Sequence, residues 1–495
     1  MIDHFFRLDF ASGRGLQEQL REGLVSAILA GGFPADEPLP SCRKLASQLR
    51  VSRNTVNLVY ESLIDHGYLV SKPRKGFFLH ADYADGGQGP GFPRHSLSAA
   101  ASGAGDPSGP DWAARFKLRP GAKPIVDRPR DWADFPYPFV YGQPMHGLFP
   151  LDHWREASRR SLSRDNAQTW HRDRFDRDDE MLIEQLRTRV LPKRGIWARP
   201  EEILVTLGSQ NALYLLASLL MNRRTSVAVE TPGFRDAASI FELHGAQVRP
   251  HGLDEGGIVV DERLDDCDYI YLTPSHQVPT GISMSAARRT KLLAQARGRD
   301  QIIIEDDYDA ELNLDADALP AIKASDASGR VVYISSLSKP FSPGLRIGYL
   351  VADAALVEEL RALRRLMYRH PPLNNQRMLA EFLSQGYYDA HLRRFRAEHR
   401  HRRDLLAEAL GRDLESCRQI GHPSASAFWL AAPEGVDTRK LSHTAARRGV
   451  VFEYGEQFFF EGAAPKNCMR LGFNAIATSR ISEGIGMLAG AMDAL

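Results

Sequence analysis

Lys339 stands in the run SSLSKPFSPGLRIGYL, residues 335–350, among hydroxyls and with Pro340, Pro343 and Gly344 close by. Arg346 follows seven residues on, and the apolar run VVYI comes just before. A lysine so placed is either a surface lysine or an amine held at the mouth of a sheet. In the second case, neighbouring cationic charge lowers its pKa and the free amine can condense with an aldehyde. Arg346, Ser336 and Ser338 would then bind a dianion beside it.

Other strand ends carry matching chemistry. QIIIE (301–305) leads into Asp306-Asp307-Tyr308-Asp309. Carboxylates packed at a strand end repel one another unless a cation sits there. A protonated pyridine nitrogen would serve, and Tyr308 would hydrogen-bond a phenolate oxygen on the same ring. A metal cluster is the alternative, but His and Cys at ligand spacing are absent nearby, so no metal is expected. EILVTL (202–207) leads into Gly208-Ser209-Gln210 and then a helical pattern. That is an anion site at a helix start, or only a cap. SVAVE (226–230) leads into Thr231-Pro232-Gly233-Phe234, where the ring either stacks on a flat heterocycle or plugs the core. Ligands on parallel sheets sit at the carboxyl ends of the strands. Each feature is ambiguous alone. A phosphate site, a stacking ring, an acid for a pyridine nitrogen, a phenol and a lysine together describe pyridoxal 5′-phosphate (PLP).

The elements that must position these groups follow from the rest of the chain. Its 495 residues suffice for two or three domains, and 43% apolar with 25% charged residues is ordinary globular composition. No apolar run approaches the roughly 20 residues that span a bilayer. The opening MIDHFFRLDF carries acids and lacks a basic region before an apolar core, so no signal peptide is expected. Cys42, Cys267, Cys417 and Cys468 show no CxxC pairing, which argues against a disulfide scaffold or a zinc site and fits a reducing cytoplasm. From about residue 136 strand-like and helical runs alternate, the pattern of an α/β fold with a largely parallel sheet. Residues 81–135 are rich in Gly, Pro, Ala, Ser and Asp and read as a flexible linker.

Residues 1–80 read differently. LQEQLREGLVSAIL (16–29) has Leu16, Leu20, Leu24 and Ile28 along one side. Ser41 is an N-cap for CRKLASQL and Ser52 for RNTVNLVYESLIDHG, with only RVS between the two helices. YLVSKPRKGFFL then reads as two short strands about a tight turn. The sum is a winged helix-turn-helix. Net charge is +1 overall, yet Ser41 to Lys75 holds Arg43, Lys44, Arg50, Arg53, Lys72, Arg74 and Lys75 against Glu61 and Asp65. This is either a solvated basic face or a polyanion-binding module on a neutral body. In the helix-turn-helix geometry Arg53, Asn54 and Thr55 face base edges or nearby phosphates in the major groove. Arg43 and Lys44 lie where the preceding helix crosses the backbone, and Lys72, Arg74 and Lys75 on the wing reach phosphate or the minor groove. Leu58, Val59 and Leu63 are expected in a small core.

LPSCRKLASQLRVSRNTVNLVYESLIDHGYLVSKPRKGFFL resembles the DNA-binding domain of the GntR family, with Cys42 where a second small hydroxyl residue is usual. GSQNAL, TPGF, TPSHQVPTG, EDDYDAEL, SLSKPFSPGLRIGY and RLGF, in that order, resemble fold type I PLP-dependent aminotransferases over residues 136–495. Taken whole, the chain is similar to the MocR subfamily of GntR transcriptional regulators. The resemblance implies a winged helix-turn-helix followed by a fold type I aminotransferase-like domain that binds PLP. By the same carry-over Lys339 forms the internal aldimine, Asp306 pairs with the pyridinium nitrogen and Tyr308 contacts the ring's phenolate oxygen. Phe234 stacks on the ring, and Ser209, Gln210, Ser336, Ser338 and Arg346 hold the phosphate. Arg470 matches the arginine that grips a substrate carboxylate.

The implied function is a PLP-dependent regulator that senses an amino compound and binds double-stranded DNA at repeated half-sites as a head-to-tail homodimer. A working aminotransferase with a DNA-binding head is the alternative. Ordinary aminotransferases have Asn where Val278 stands, so one hydrogen bond to the ring oxygen is absent. The charged segment TWHRDRFDRDDEML (169–182) replaces the usual Gly/Pro-rich loop and is either part of an effector pocket or surface.

Overall fold

The computed structural model describes residues 8–10, 12–34, 36–84, 110–145, 147–309, 311, 318–337, 339, 341–421, 426–460 and 464–495. They fall into two compact units, residues 1–114 and 115–495.

In the first unit, helix Leu16–Leu29 buries Leu20, Leu24 and Ile28. Helices Cys42–Leu49 and Arg53–Asp65 follow, and a hairpin pairs Leu69–Lys72 with Gly76–Leu79. Ser41 Oγ accepts from the Lys44 amide (3.3 Å) and Ser52 Oγ from the Thr55 amide (3.0 Å), so both expected caps form. One core joins Leu45, Val56, Val59 and Leu63 to Leu69 and Leu79 of the hairpin. Leu58, expected in that core, is 42% exposed. It lies one turn beyond Asn54, and the helical period turns both to the outer side.

The second unit is built on an eight-stranded sheet. Its order is Ile203–Thr206, Gly348–Val351, Val331–Ser336, Ile302–Asp306, Tyr269–Leu272, Ser226–Thr231, Gln247–Asp254, Gly257–Ile258. Gly348–Val351 runs antiparallel to both neighbours, Gly257–Ile258 antiparallel to its own, and the other pairings are parallel. Alternate residues serve opposite faces. Ile203, Val205, Tyr333 and Tyr349 pack with helix Leu373–Ser384 on one side. Leu204, Ile334 and Leu350 pack with helices Ser209–Leu220 and Arg235–Leu243 on the other. A four-stranded antiparallel sheet, ordered Arg418–Ile420, Ala427–Ala431, Cys468–Gly472, Glu453–Tyr454, forms a second layer with helices Tyr387–Asp413 and Ile481–Met492.

Two sequence readings meet a different outcome here. The expected linker ran to residue 135, and its residues 85–109 lie outside the described ones. Toward its end, however, the chain lies against the second unit. Lys123 pairs with Glu242 (2.6 Å), the Asp127 amide donates to Gln457 Oε1 (2.6 Å) and the Tyr454 hydroxyl to Asp127 (3.4 Å). These polar contacts, together with Val126, Trp132 and Phe135 packed against neighbouring apolar clusters, hold a segment whose overall composition suggested little to bury. The charged segment 169–182 lines no part of the cavity described below. It docks instead on helix Ala354–Tyr368.

Asp178 is the centre of that docking. Its carboxylate meets Arg361 (2.6 Å) and Arg364 (2.7 Å) and accepts from the Val205 amide (3.3 Å). Arg364 also donates to the Val205 carbonyl (2.6 Å), and both side chains of the Asp178–Arg364 pair are fully buried. The network fixes the strand that leads directly into Gly208-Ser209. Removing one member of a buried pair strands the other charge. Asp178→Asn should therefore destabilise the second unit by about 3–5 kcal/mol, read as an earlier denaturant midpoint in tryptophan fluorescence. An unchanged midpoint would show that the pair is not structural.

Candidate functional site

The expected strand ends converge on one cavity of about 640 Å³. Ser209, Phe234, Asp306, Tyr308, Lys339 and Arg470 all line it, with Val278. That is an ordinary volume for a small-ligand site with a few polar groups among apolar walls.

Asp306 ends strand Ile302–Asp306, opposite Ile334 on the next strand. Its Oδ2 accepts from the Tyr271 hydroxyl (3.0 Å), while Oδ1 is buried with no hydrogen-bond partner among the described residues. Burial pushes its carboxyl up to about 7, against the stabilising Tyr271 bond and the charge of Lys339. The other carboxylates of the cluster separate. Asp307 turns away to Arg194 (2.7 Å) and the Tyr333 hydroxyl (2.9 Å). Burial opposes its charge, but Arg194 holds it below the usual carboxylate range. Asp309 faces Lys339, with Oδ1 at 3.8 Å from Nζ, and accepts from Ser426 (3.1 Å). No group of three or more His, Cys, Asp or Glu placed to hold a metal occurs among the described residues.

Lys339 Nζ stands over the ring of Tyr308 at 3.7 Å and over that of Tyr141 at 4.4 Å, and donates to the Tyr141 hydroxyl. Burial lowers its amine to about 8, against the opposing pull of Asp309 and Asp306, with Arg470 adding to the depression. The sequence reading ascribed a lowered pKa to a neighbouring cation; the main cause is desolvation. The Tyr308 hydroxyl donates to the His276 carbonyl (2.8 Å), so its proton is already engaged and its lone pairs remain.

The expected phosphate residues gather around the turn at Gly208. Gly208 has φ +84°, and a Cβ there would lie 2.8 Å from Arg346 Nη2. Gly348 packs on it so closely that a Cβ would meet the Gly208 Cα at 2.7 Å. These two positions need glycine, for conformation and for approach respectively. Arg346 donates to the Leu207 carbonyl (2.8 Å), and Ser336 is buried on the strand beside Gly348. Gln210 is exposed and donates to Asp236 (3.1 Å), away from a direct role in the cavity wall. Ser338 lies outside the described residues.

Arg470 is buried, and its Nε donates to Glu453 Oε2 (2.7 Å). Its guanidinium lies 4.3 Å from the Tyr141 ring and 4.5 Å from the Phe458 ring. Tyr141, Glu453, Phe458, Arg128, Arg130 and Trp132 line the cavity without having been singled out in the sequence. Tyr141 and Glu453 carry no motif of their own. Arg128, Arg130 and Trp132 were hidden by the composition of the supposed linker.

In the first unit Arg43, Lys44, Arg53, Asn54, Lys72, Arg74 and Lys75 are all exposed. Thr55 is half-buried, its hydroxyl paired with Ser52 (2.8 Å), and Lys72 lies over the Phe78 ring at 4.5 Å. Thr55 thus holds the cap as well as facing outward.

The free amine of a lysine is the form that attacks an aldehyde, and it predominates above the pKa. The rate at which cofactor-free protein condenses with PLP should therefore rise through about pH 8, not near the roughly 10.4 of an ordinary lysine. Stopped-flow absorbance from pH 6.5 to 10 measures this. A midpoint near 10 would contradict the desolvated setting, and Lys339→Ala should abolish the covalent band.

The comparisons with known proteins agree with this geometry. Residues 141–480 match the family described as aminotransferase class I and II, and residues 16–79 match the bacterial regulatory proteins of the gntR family. The chain is 37% identical over 491 residues to the HTH-type transcriptional regulator TauR of Rhodobacter capsulatus, covering 99% of each chain. It is 30% identical to the probable rhizopine catabolism regulatory protein MocR of Rhizobium meliloti, covering 97% of this chain and 94% of that one. Among solved structures, a kynurenine aminotransferase of Pyrococcus horikoshii, crystallised in complex with PMP, overlays with a TM-score of 0.71 at 27% identity, over 77% of this chain and 98% of its own. A GntR helix-turn-helix unit joined to a class I and II aminotransferase unit, matched end to end by regulators of the same build, places this chain in the MocR-type family of HTH transcriptional regulators.

Proposed function

We propose that this regulator holds PLP on Lys339 and senses an amino compound there, and that the response of the large unit alters how the winged helices engage DNA. The observation that carries the reading is the buried, unpartnered Oδ1 of Asp306 in the same cavity as the depressed amine of Lys339. A pyridinium N–H would satisfy that oxygen, which otherwise bears an uncompensated desolvation cost. The residues present fit the cofactor. Phe234 would stack on the ring, and Ser209, Ser336, Ser338 and Arg346 would hold the phosphate, with Gln210 contributing only its backbone N–H at the helix start because its side chain turns to Asp236. Tyr308 would accept from a protonated ring oxygen, or donate to it on giving up its bond to the His276 carbonyl, and Val278 would offer that atom only an apolar contact. When bound, PLP supplies an aldehyde conjugated to an electron-withdrawing ring, to which an amine can add.

The chain's own residues define the rest. Lys339 would hold the cofactor through its Nζ, and its desolvated amine would be the group that an incoming amine replaces. Arg470, fixed by Glu453 and two aromatic faces, would orient an acid group on the ligand by a bidentate fork. Arg43, Lys44, Arg53, Asn54, Thr55, Lys72, Arg74 and Lys75 would contact DNA, with Arg53 and Asn54 entering the major groove first. A linker between the winged helix and residue 115, a homodimer with repeated half-sites, and action in the cytoplasm complete the proposal. The described helices include none long and apolar enough to cross a membrane. The ligand can shift the DNA-binding equilibrium only by its differential affinity for the two states.

Absorbance titration of the PLP-loaded chain with amino compounds, with oxo-product assayed in the same samples, tests the reading. A shifted band that persists without product supports sensing. Accumulating oxo product would replace the sensor with a working aminotransferase.

The logarithm of DNA affinity should fall linearly with the logarithm of salt concentration, with a slope of about −0.9 per phosphate contact. Arg43→Ala and Lys72→Ala should each flatten that slope by about one contact. Gel-shift assays at several salt concentrations measure it, and salt-insensitive binding would oppose the winged-helix interface.

A further inference from the structure

One carboxylate that follows strand Ile302–Asp306 has no task in the cofactor reading. Asp306 is reserved there for the ring nitrogen, and Asp307 is committed to Arg194 and the Tyr333 hydroxyl. Asp309 is 1% exposed, and one of its oxygens, Oδ2, accepts from Ser426 (3.1 Å). Its Oδ1 is buried with no hydrogen-bond partner among the described residues and lies 3.8 Å from Lys339 Nζ, too far for a formed bond. The charge of Asp309 also acts on two buried histidines, His276 and His399, whose ring nitrogens have no partners among the described residues. Burial pulls both imidazoles down, that of His399 to about 4, so neither is a cation near neutral pH. Among the described residues Lys339 is thus the one ion-pair partner of Asp309.

Resting on the PLP-sensor reading, we propose that Asp309 is a positioning residue that receives the Lys339 amine as an ammonium once a ligand amine has displaced it. Atoms and charge balance without an outside acid. The ligand nitrogen bonds to the cofactor's carbonyl carbon, the bond from that carbon to Nζ breaks, and the proton brought by the ligand's ammonium ends on Nζ. An ammonium has three donors, where a nitrogen bonded to the cofactor keeps at most one. The Tyr141 hydroxyl accepts one of them. A small swing of the side chain closes the 3.8 Å gap and gives a second to Asp309 Oδ1. The other groups that face Nζ do not replace it. Arg470 repels an ammonium, burial holds the Tyr141 and Tyr308 phenols neutral, and Glu311 meets the Tyr388 hydroxyl (3.2 Å). Asp309 therefore stabilises Lys339 more when displaced than when bonded, the kind of differential interaction that lets a ligand shift an equilibrium. An ammonium cannot take up a proton, so the same pair withholds the base that turnover would need.

The pH profile of PLP condensation by the cofactor-free full chain tests this without turnover. The wild-type rate should rise through about pH 8. Asp309→Asn removes the charge at nearly constant shape, so its midpoint should fall by roughly 1–3 pH units, the effect of losing an opposite charge at this range. Asp309→Glu should restore most of the wild-type midpoint. An unmoved pH midpoint in Asp309→Asn overturns the proposal, and an earlier denaturant midpoint beside it would mark Asp309 as merely structural. Hydroxylamine added to the PLP-loaded wild type gives a second reading that needs no variant. It displaces Lys339 as a neutral amine, at a pH where the bound-cofactor band is in its protonated form. With Lys339 kept as an ammonium no proton reaches the solution, which an indicator dye in weak buffer reads. Release of one proton per cofactor overturns the proposal. Wild-type protein that fails to condense with PLP at any pH is the separate failure of the cofactor reading, and the proposal falls with it.

Discussion

The site is organised around a carboxylate that protein atoms leave half unsatisfied. One oxygen of Asp306 has Tyr271, and the other is buried without a partner among the described residues. A buried charge without compensation is among the costliest features a fold can carry. The consequence is visible in its carboxyl, raised to about 7. Nothing in the sheet demands an acid at that place, since Asp307 next to it already supplies the ion pair to Arg194 that ties the strand to its surroundings. The separation of the two is the informative point. Adjacent residues on a strand point to opposite sides, so one carboxylate serves the core and the other the cavity.

Around that carboxylate the backbone is as constrained as the side chains. Gly348 packs so closely on Gly208 that it admits no side chain, and Gly208 itself is held at φ +84° against Arg346. Their contact draws the turn before helix Ser209–Leu220 against the strand that neighbours Ser336. The buried Asp178–Arg364 pair holds the strand that leads into this turn, Ile203–Thr206, through the Val205 amide and carbonyl. A helix start, a strand end and a lysine loop thereby meet at one edge, and Arg346 ties the loop to the turn through the Leu207 carbonyl. Loops carry the groups, but the sheet and its glycines set where the loops begin.

Much of this was legible in the sequence, for reasons that differ by region. The helices of the first unit were legible because their signals are local: a serine cap, a 3.6-residue stripe, a glycine stop. Ser209, Phe234, Asp306, Tyr308 and Lys339 were legible because each directly follows an apolar run, and the carboxyl ends of strands are where a parallel sheet places chemistry. Leu58 was misplaced because an apolar residue one position from Val59 looks like core until the helix phase is fixed. Arg128 and Trp132 were not legible at all. Gly- and Pro-rich composition reports how little apolar surface a segment can bury, not which distant partners hold it. The contacts of that segment reach Glu242 and Gln457, far along the chain. The role of 169–182 was hidden similarly, because a charged run reads as solvated until its arginine partners on another helix are seen.

The placement of Arg128 bears on how a bound ligand could be felt elsewhere. A response needs an element with differential affinity for the ligand in two arrangements, not a wire between sites. The main strands are poor candidates, since moving them would break buried pairs such as Asp178 with Arg364. The segment around Arg128 is a better one. It is held by the polar contacts of Lys123 and Asp127, the long contacts of Arg128 and the partly buried packing of Val126, Trp132 and Phe135, a lighter hold than that of the central strands. A ligand that shortens the contacts of Arg128 would favour one position of this segment over others. In sequence this segment lies between the first unit and the strands of the second, so a change in its position would be a change at the end of the chain that joins the two. A ligand that left the contacts of this segment unchanged could then occupy the cavity without moving it, because only a differential affinity shifts an equilibrium.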